Sequence, residues 1–258
     1  MILAVDVGNT NITLGCLEGT EVRYIARMAT GTKKTEHEYA VAIRSILSFG
    51  DVDVTAFEGA VLSSVVVSIT AAIREAIRLV TGKDALVVGK GIKTGLDIRI
   101  DDPAQMGADL LVGAVAAMHS YQPPMLIIDM GTATTISAID AAGRFVGGAI
   151  MPGLRLSLNA LSGGTSLLPH IPLDAPKKCI GTNTITCMQS GSIFGTAAML
   201  DGMIDRMEEE LGGPTTVVAT GGLAGRVIPC CKHEIQYNEN LLLEGLAVLW
   251  EKNRKEKK

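Results

Sequence analysis

Aromatic side chains are scarce in this sequence: Phe, Trp and Tyr make up only 3% of its 258 residues, and there is a single Trp. A core must therefore be built from Ala, Val, Ile, Leu and Met, which with 29 glycines is the palette of an α/β protein. Basic clusters are missing except at the Lys-rich end, and the net charge is −4, so the electrostatic footprint of a nucleic-acid binder is lacking. No apolar stretch approaches the roughly 20 residues that a membrane span requires, and the chain opens on a strand-like run with neither the basic region nor the cleavage site of an export signal. The expectation is a soluble, cytoplasmic protein with no nucleic-acid or membrane partner. The five cysteines (Cys16, Cys179, Cys187, Cys230, Cys231) show no metal-finger spacing, and their odd number argues for free thiols, the adjacent Cys230 and Cys231 included.

What the sequence does have is one pattern twice. Asp6-Val7-Gly8-Asn9-Thr10-Asn11-Ile12-Thr13 and Asp129-Met130-Gly131-Thr132-Ala133-Thr134-Thr135-Ile136 each follow an apolar run that ends in Asp, and each leads into a second apolar run. This is the outline of strand, tight turn, strand. Glycine at such a bend lets backbone N–H groups approach a phosphate, and the side chains of Asn9, Thr10, Asn11, Thr132 and Thr134 add neutral donors. The carboxylates of Asp6 and Asp129 would repel a phosphate directly, so their reasonable task is to hold a cation beside it. An ordinary hairpin explains either copy alone, but two copies half a chain apart favour two similar half-domains, each contributing a loop to a cleft.

Along the chain, helical spacing predicts a helix over 36–49 with Tyr39, Ala42, Ile43, Ile46 and Leu47 on one face. A buried strand over 60–65 ends at Ser63 and Ser64, which read first as helix N-cap residues and second as ligand contacts. A helix over 68–80 and a strand over 85–88 follow. Asp102-Pro103 signals a helix running through 104–119 that carries Gly107-Ala108-Asp109 near its start. The double proline at Pro123-Pro124 stops it, dividing the chain into halves 1–120 and 121–258. The second half repeats the opening, and the glycines and proline of Gly147 to Gly153 suggest either backbone close to a ligand or to another hairpin, or a fold-shaping turn. It continues with helices over 154–161 and 185–211, the latter carrying Ile193, Phe194, Ala197 and Met199 for a monomer core or a subunit contact. His170, next to a proline, reads as a loop residue. A strand over 216–220 opens into Gly221-Gly222, a last helix spans 240–250, and Glu251–Lys258 reads as a solvated tail.

Three Gly/Thr-rich turns at strand ends, two preceded by Asp, resemble the actin, Hsp70 and sugar-kinase superfamily. Within it, Asp6 to Thr10, Gly107-Ala108-Asp109, Asp129 to Thr135, Gly147-Gly148 with Pro152-Gly153, Thr165 with Leu168-Pro169, and Gly181 with Thr184 resemble the type III pantothenate kinases in order and spacing, over nearly the whole chain. The resemblance implies two actin-like (ribonuclease H-like) half-domains of mixed sheets flanked by helices, with an ATP cleft between them. It implies ATP-dependent phosphorylation of pantothenate, opening coenzyme A biosynthesis, by a homodimer that uses a divalent cation (Mg2+) and a monovalent one (K+ or NH4+). Carried over, Asp6, Val7, Gly8, Asn9, Thr10, Asn11, Ile12, Thr13 and Thr132 bind ATP, and Asp129 ligates the monovalent cation. Gly107, Ala108, Asp109 and Leu110 line the pantothenate site with Asp109 as the base, and Thr184 reaches substrate near the dimer partner. One departure stands out, since the family usually follows Gly-x-Asp with Arg and this chain has Leu110. That change weakens substrate binding more than it touches the reaction and keeps open a catalytically silent nucleotide- or pantothenate-binding regulator; a kinase for another small hydroxyl compound with the same ATP site is a further alternative.

Overall fold

A computed structural model describes residues 1–254 of the chain. Its elements begin β1 (Ile2–Val7), β2 (Asn11–Glu18), β3 (Glu21–Ala29), α1 (Glu36–Phe49), β4 (Gly59–Ser64), α2 (Val67–Thr81), β5 (Ala85–Val87), β6 (Asp97–Ile98) and α3 (Ala108–Ser120). They continue β7 (Met125–Met130), β8 (Ala133–Ile139), β9 (Arg144–Pro152), α4 (Leu154–Gly163), α5 (Thr184–Leu211), β10 (Thr216–Thr220), α6 (Ala224–Val227), β11 (Gln236–Tyr237) and α7 (Leu241–Asn253). Among the described residues no helix is long and apolar enough to cross a membrane.

Two units divide the chain. The first comprises residues 1–96, 101–120 and the segment beginning at Asn240; the second comprises 97–100 and 121–239. The first unit's sheet has the order β3-β2-β1-β4-β5, with β1, β2 and β3 antiparallel and β1, β4 and β5 parallel. The second unit's sheet, read as β9-β8-β7-β10-β11, has the same order and the same pattern of directions, and β6 adds to its β9 edge. The sequence repeat is thus a repeat of topology.

The alternation of strand side chains decides what each face of the first sheet touches. Leu3, Val5 and Val7 of β1, with Ala60 and Leu62 of β4, enter one cluster with Tyr39, Ile43 and Leu47 of α1 and Ile69, Ile73 and Ile77 of α2. Helix α1 starts at Thr35, whose side chain accepts from Glu38 N while the Glu38 carboxylate accepts from Thr35 N, a capping box that agrees with the buried stripe spaced four residues apart. Each buried Leu or Ile on that stripe contributes about 1.5–3 kcal/mol and the cap about 1 kcal/mol, so burial selects the face and the cap fixes where the helix begins. The opposite face of the sheet, carrying Ala4, Asp6, Val61 and Ser63, is covered by α3 and α7.

Three expectations need correction. The last helix does not belong with the second half: α7 packs on α3, β1 and β4, because Gly245 brings it so close to α3 that a Cβ there would lie 2.3 Å from the Val112 carbonyl oxygen. Glu251 and Lys252 are exposed as expected but belong to a helix rather than a tail, since α7 runs to Asn253, whose side chain accepts from Lys93 N and donates to Lys93 O, each at 2.8 Å. The rest of that expected tail, residues 255–258, lies outside the described residues. Finally, the helix predicted over 104–119 is broken. Asp102 caps only a single 3-10 turn at Pro103–Gln105, Met106 is extended, and α3 starts afresh at Ala108.

Candidate functional site

The break before α3 puts Asp109 in the first turn of a helix. Its Oδ1 accepts from the backbone N–H of Leu110 at 2.8 Å. Gly107 leaves space for that carboxylate: a Cβ at Gly107 would lie 2.5 Å from Asp109 Oδ1. Asp6, at the end of β1, lies on the sheet face covered by α3, opposite Thr13 in the antiparallel ladder and beside Ser63 in the parallel one. The Asp6 carboxyl is pushed up to about 6, first by burial and further by the Asp109 charge, while the nearby Ser63 hydroxyl opposes the rise. That hydroxyl stops short of full hydrogen-bond geometry and has no completed partner, so burial prevails. Two acidic groups and two hydroxyls therefore meet at one end of the first sheet.

The loop after Asp6 is tied down from the side. Thr30 Oγ1 donates to Gly8 O at 2.7 Å, and Thr30 N donates to Thr10 O at 3.0 Å. This holds Gly8, Asn9 and Thr10 as a bend with Asn9, Thr10 and Asn11 exposed. Val7 and Ile12 turn their side chains into the core, leaving only their main chain for a ligand. Thr30 has no local sequence signature, because its role comes from β3 returning beside the bend.

In the second unit the corresponding positions line up. Asp129 ends β7 opposite Thr135 and beside Thr220, and Gly131-Thr132 forms the exposed bend. Gly153 packs on that bend, where a Cβ would lie 2.2 Å from the Thr132 carbonyl oxygen; residues 147–152 are not a turn but the end of β9, paired with β8. Gly221 has φ +100° and approaches the Met130 backbone to 2.6 Å from a would-be Cβ, which only glycine tolerates. Thr134 is not a phosphate donor: it lies on the same face of β8 as Ile136 and Ala138 of the core, is 1% exposed, and its hydroxyl has no partner. Thr184 is exposed at the start of α5, which Asn183 caps through Thr186 N. It lines a groove of about 1030 Å3 whose other walls include Leu158, Leu161, Leu168, Met188 and Met199. Of the residues foreseen for the core or a subunit contact, Ile193 and Ala197 are buried in this unit and Phe194 and Met199 are half-buried.

Other expectations fall on either side. Ser64 and Ser63 do not cap α2, whose first residue follows Val66 without a side-chain bond. Ser64 Oγ instead accepts from Val66 N and from Thr70 Oγ1, and the ladder turns Ser63 toward Asp6. His170 is an exposed loop residue. All five cysteines are free thiols, and burial pushes the Cys16 and Cys231 thiols up to about 12, away from the reactive thiolate form.

Strand-end carboxylates beside glycine bends, with a further carboxylate at a helix start, are suited to cation-assisted chemistry on a phosphorylated ligand. The chain aligns over 96% of its length with component A of (R)-2-hydroxyglutaryl-CoA dehydratase from Acidaminococcus fermentans, of which 95% is covered, at a TM-score of 0.56 and 16% identity. It also aligns with the activator of 2-hydroxyisocaproyl-CoA dehydratase from Clostridium difficile, solved with ADPNP, at a TM-score of 0.53 and 12% identity over 96% of this chain and 92% of that one. These likenesses show the fold, that of the actin-like ATPases and sugar kinases. In sequence, the chain is 41% identical over 253 residues to a type III pantothenate kinase of Moorella thermoacetica, covering 98% of this chain and 100% of the relative. It is 42% identical over 256 residues to one of an Exiguobacterium species, covering 99% and 100%. The family model for type III pantothenate kinase matches residues 2–206, and with full-length identity at this level the chain belongs to the type III pantothenate kinase family.

Proposed function

We propose that the protein transfers the γ-phosphoryl group of ATP to the primary hydroxyl of pantothenate, giving 4′-phosphopantothenate, the first step of coenzyme A biosynthesis. The observation that carries this reading is the meeting of Asp6 and Asp109 at one end of the first sheet, in a chain of this family. Phosphoryl transfer needs in-line positioning and neutralisation of spread negative charge more than covalent help from the protein. Asp6 to Thr13 lie along the triphosphate, with backbone N–H groups of the Gly8–Thr10 bend and the side chains of Asn9, Thr10 and Asn11 as donors. Gly107, Ala108 and Leu110 flank the pantothenate hydroxyl, and Asp109 accepts its hydrogen bond and takes its proton late in the transfer. A carboxylate is a weak base for an alcohol, so most of its contribution is orientation through a charge-assisted hydrogen bond. Thr132 is a further contact for nucleotide phosphate, and Thr184 reaches substrate beside a second copy of the chain.

The kinase family works with ATP and a divalent cation. The donor set fits one: Asp6 and the neighbouring hydroxyls are hard oxygen groups, and a magnesium ion takes one or two carboxylates and completes its shell with phosphate oxygens and water. When bound it neutralises charge developing on the phosphoryl oxygens. Asp129, with the Thr135 and Thr220 hydroxyl residues beside it in register, offers oxygen donors of the same kind for potassium or ammonium. A homodimer is supported by the groove along α4 and α5 and by the exposed Ile150, Leu156, Leu167, Ile180 and Ile185 of the same unit. The cytoplasm is the compartment where such a kinase meets ATP and keeps free thiols reduced.

A coupled assay of ADP release with pantothenate, run with and without potassium, tests the reaction and the monovalent cation together. Release that depends on pantothenate and rises with potassium is expected; nucleotide binding without turnover, or turnover only with another hydroxyl compound, would overturn the reading. Light scattering across protein concentrations tests the dimer, which is expected to persist at assay concentrations.

A further inference from the structure

Ser63 ends the buried part of β4 where the parallel ladder sets it beside Asp6. Its side chain is 0% exposed, and its hydroxyl approaches the Asp6 carboxylate without completing a hydrogen bond. Packing does not call for a hydroxyl there. Alanine would fill nearly the same space and leave no polar atom stranded from water. The internal repeat adds a separate observation: Thr220 of β10 occupies the matching ladder position beside Asp129 and is also buried. Both units therefore set a buried hydroxyl residue next to the strand-end carboxylate across the parallel pair, although the surrounding strands differ in sequence.

The terminal torsion of an Asp side chain is broad and nearly two-fold, so strand geometry alone does not fix which way the carboxylate oxygens point. A donor buried beside it does. We propose that Ser63 is a positioning residue for phosphoryl transfer, its hydroxyl donating to one oxygen of Asp6 so that the other is presented to the cation-bound triphosphate rather than toward Asp109. This rests on the assignment of Asp6 to the nucleotide's divalent cation. A small divalent ion demands near-ideal geometry from its few protein ligands, so a carboxylate free to rotate binds it more weakly than one held in place. Ser63 acts through Asp6 and touches no substrate.

The test titrates Mn2+ in the presence of excess ADP and follows free Mn2+ by electron paramagnetic resonance. It uses the full chain as wild type, Ser63→Ala, Ser63→Thr, Asp6→Asn, and the Ser63→Ala/Asp6→Asn double variant, each with a melting curve. Ser63→Ala is expected to weaken binding about three- to tenfold, and Ser63→Thr to restore it to within about twofold, since the repeat shows Thr at the same ladder position. On the Asp6→Asn background, Ser63→Ala is expected to change nothing further. Ser63→Ala binding like wild type, or weakening binding equally on both backgrounds, overturns the proposal. Should Ser63→Ala melt early, Ser63→Cys keeps the shape with a poor donor: weakened binding at an unchanged melting point supports the proposal, and unchanged binding overturns it. Wild type failing to bind Mn2+ with ADP would remove the Asp6 assignment as well, a result distinct from failure of Ser63 alone.

Discussion

Asp109→Asn isolates the proposed base with little disturbance of the fold. The amide oxygen of Asn can still accept from Leu110 N as Asp109 Oδ1 does at 2.8 Å, so the start of α3 is preserved. Asn is the same size as Asp, so the space left by Gly107 still accommodates it. What disappears is the proton acceptor and one negative charge near Asp6. A positioned general base contributes about 10²- to 10⁴-fold in rate, or about 2.7–5.4 kcal/mol of barrier, and turnover should fall by that order. Nucleotide binding should not fall with it. The Asp109 charge helps to raise the Asp6 pKa, so its removal makes Asp6 easier to ionise, and binding of ADP with a divalent ion should hold or tighten slightly near pH 6. Steady-state ADP release at saturating substrates, read beside calorimetric ADP binding and a melting curve, separates these effects. Turnover within about threefold of wild type in a well-folded variant, well below the range for a base, would refute the role of Asp109; equal loss of turnover and nucleotide binding would refute the division of labour between it and Asp6.

Asp6→Asn should trade function for stability. The Asp6 carboxyl titrates near 6 in the folded protein against a usual value of 3.8, so the folded state holds the proton more tightly and stability falls as pH rises toward and through 6. The variant is expected to be more stable than wild type at pH 8 in metal-free buffer, by about 1–3 kcal/mol after allowance for partial exposure. The gap should narrow as pH drops through 6 toward 4, as denaturant unfolding across pH would show. Thr134→Val removes an unpartnered buried hydroxyl at constant shape; chemical denaturation should find it neutral or stabilising by up to about 1 kcal/mol, with unchanged turnover. Gly221→Ala forces a side chain into a φ of +100° and onto the Met130 backbone, and a loss of about 2 kcal/mol or more in unfolding free energy is expected.

Much of this was legible in the sequence where local pattern and long-range packing agree. The strand-Asp-Gly outlines mark β1 and β7 because the apolar runs, the bends and the buried cores all select the same register. The helix over 36–49 is bounded correctly because Thr35 and Glu38 cap the same segment whose Tyr39, Ile43 and Leu47 are buried. Elsewhere a local signal competed with a distant one. Asp102-Pro103 does start a helical turn, but Met106 turns extended and Gly107 yields space to Asp109, so one predicted helix becomes two pieces. Ser63 looked like a cap because it precedes a helix, whereas its side chain direction follows from its ladder partner, which lies 57 residues away at Asp6. Thr134 looked like a donor by composition, and strand alternation turned it inward. Nothing near Asn240 in sequence reveals that α7 belongs on α3, because the decisive contact pairs Gly245 with Val112.

The return of α7 also bears on the order in which the chain can mature. The face of the first sheet that carries Asp6 is roofed in part by α7, which is made only after the whole segment 121–239. A nascent chain therefore leaves β1 and β4 half-covered until residues 241–253 have been made, and loss of that helix would expose the acidic end of the first sheet. Trp250, the sole indole in the protein, rests on Gly59 at the start of β4, so its fluorescence is a built-in gauge of when that roof closes.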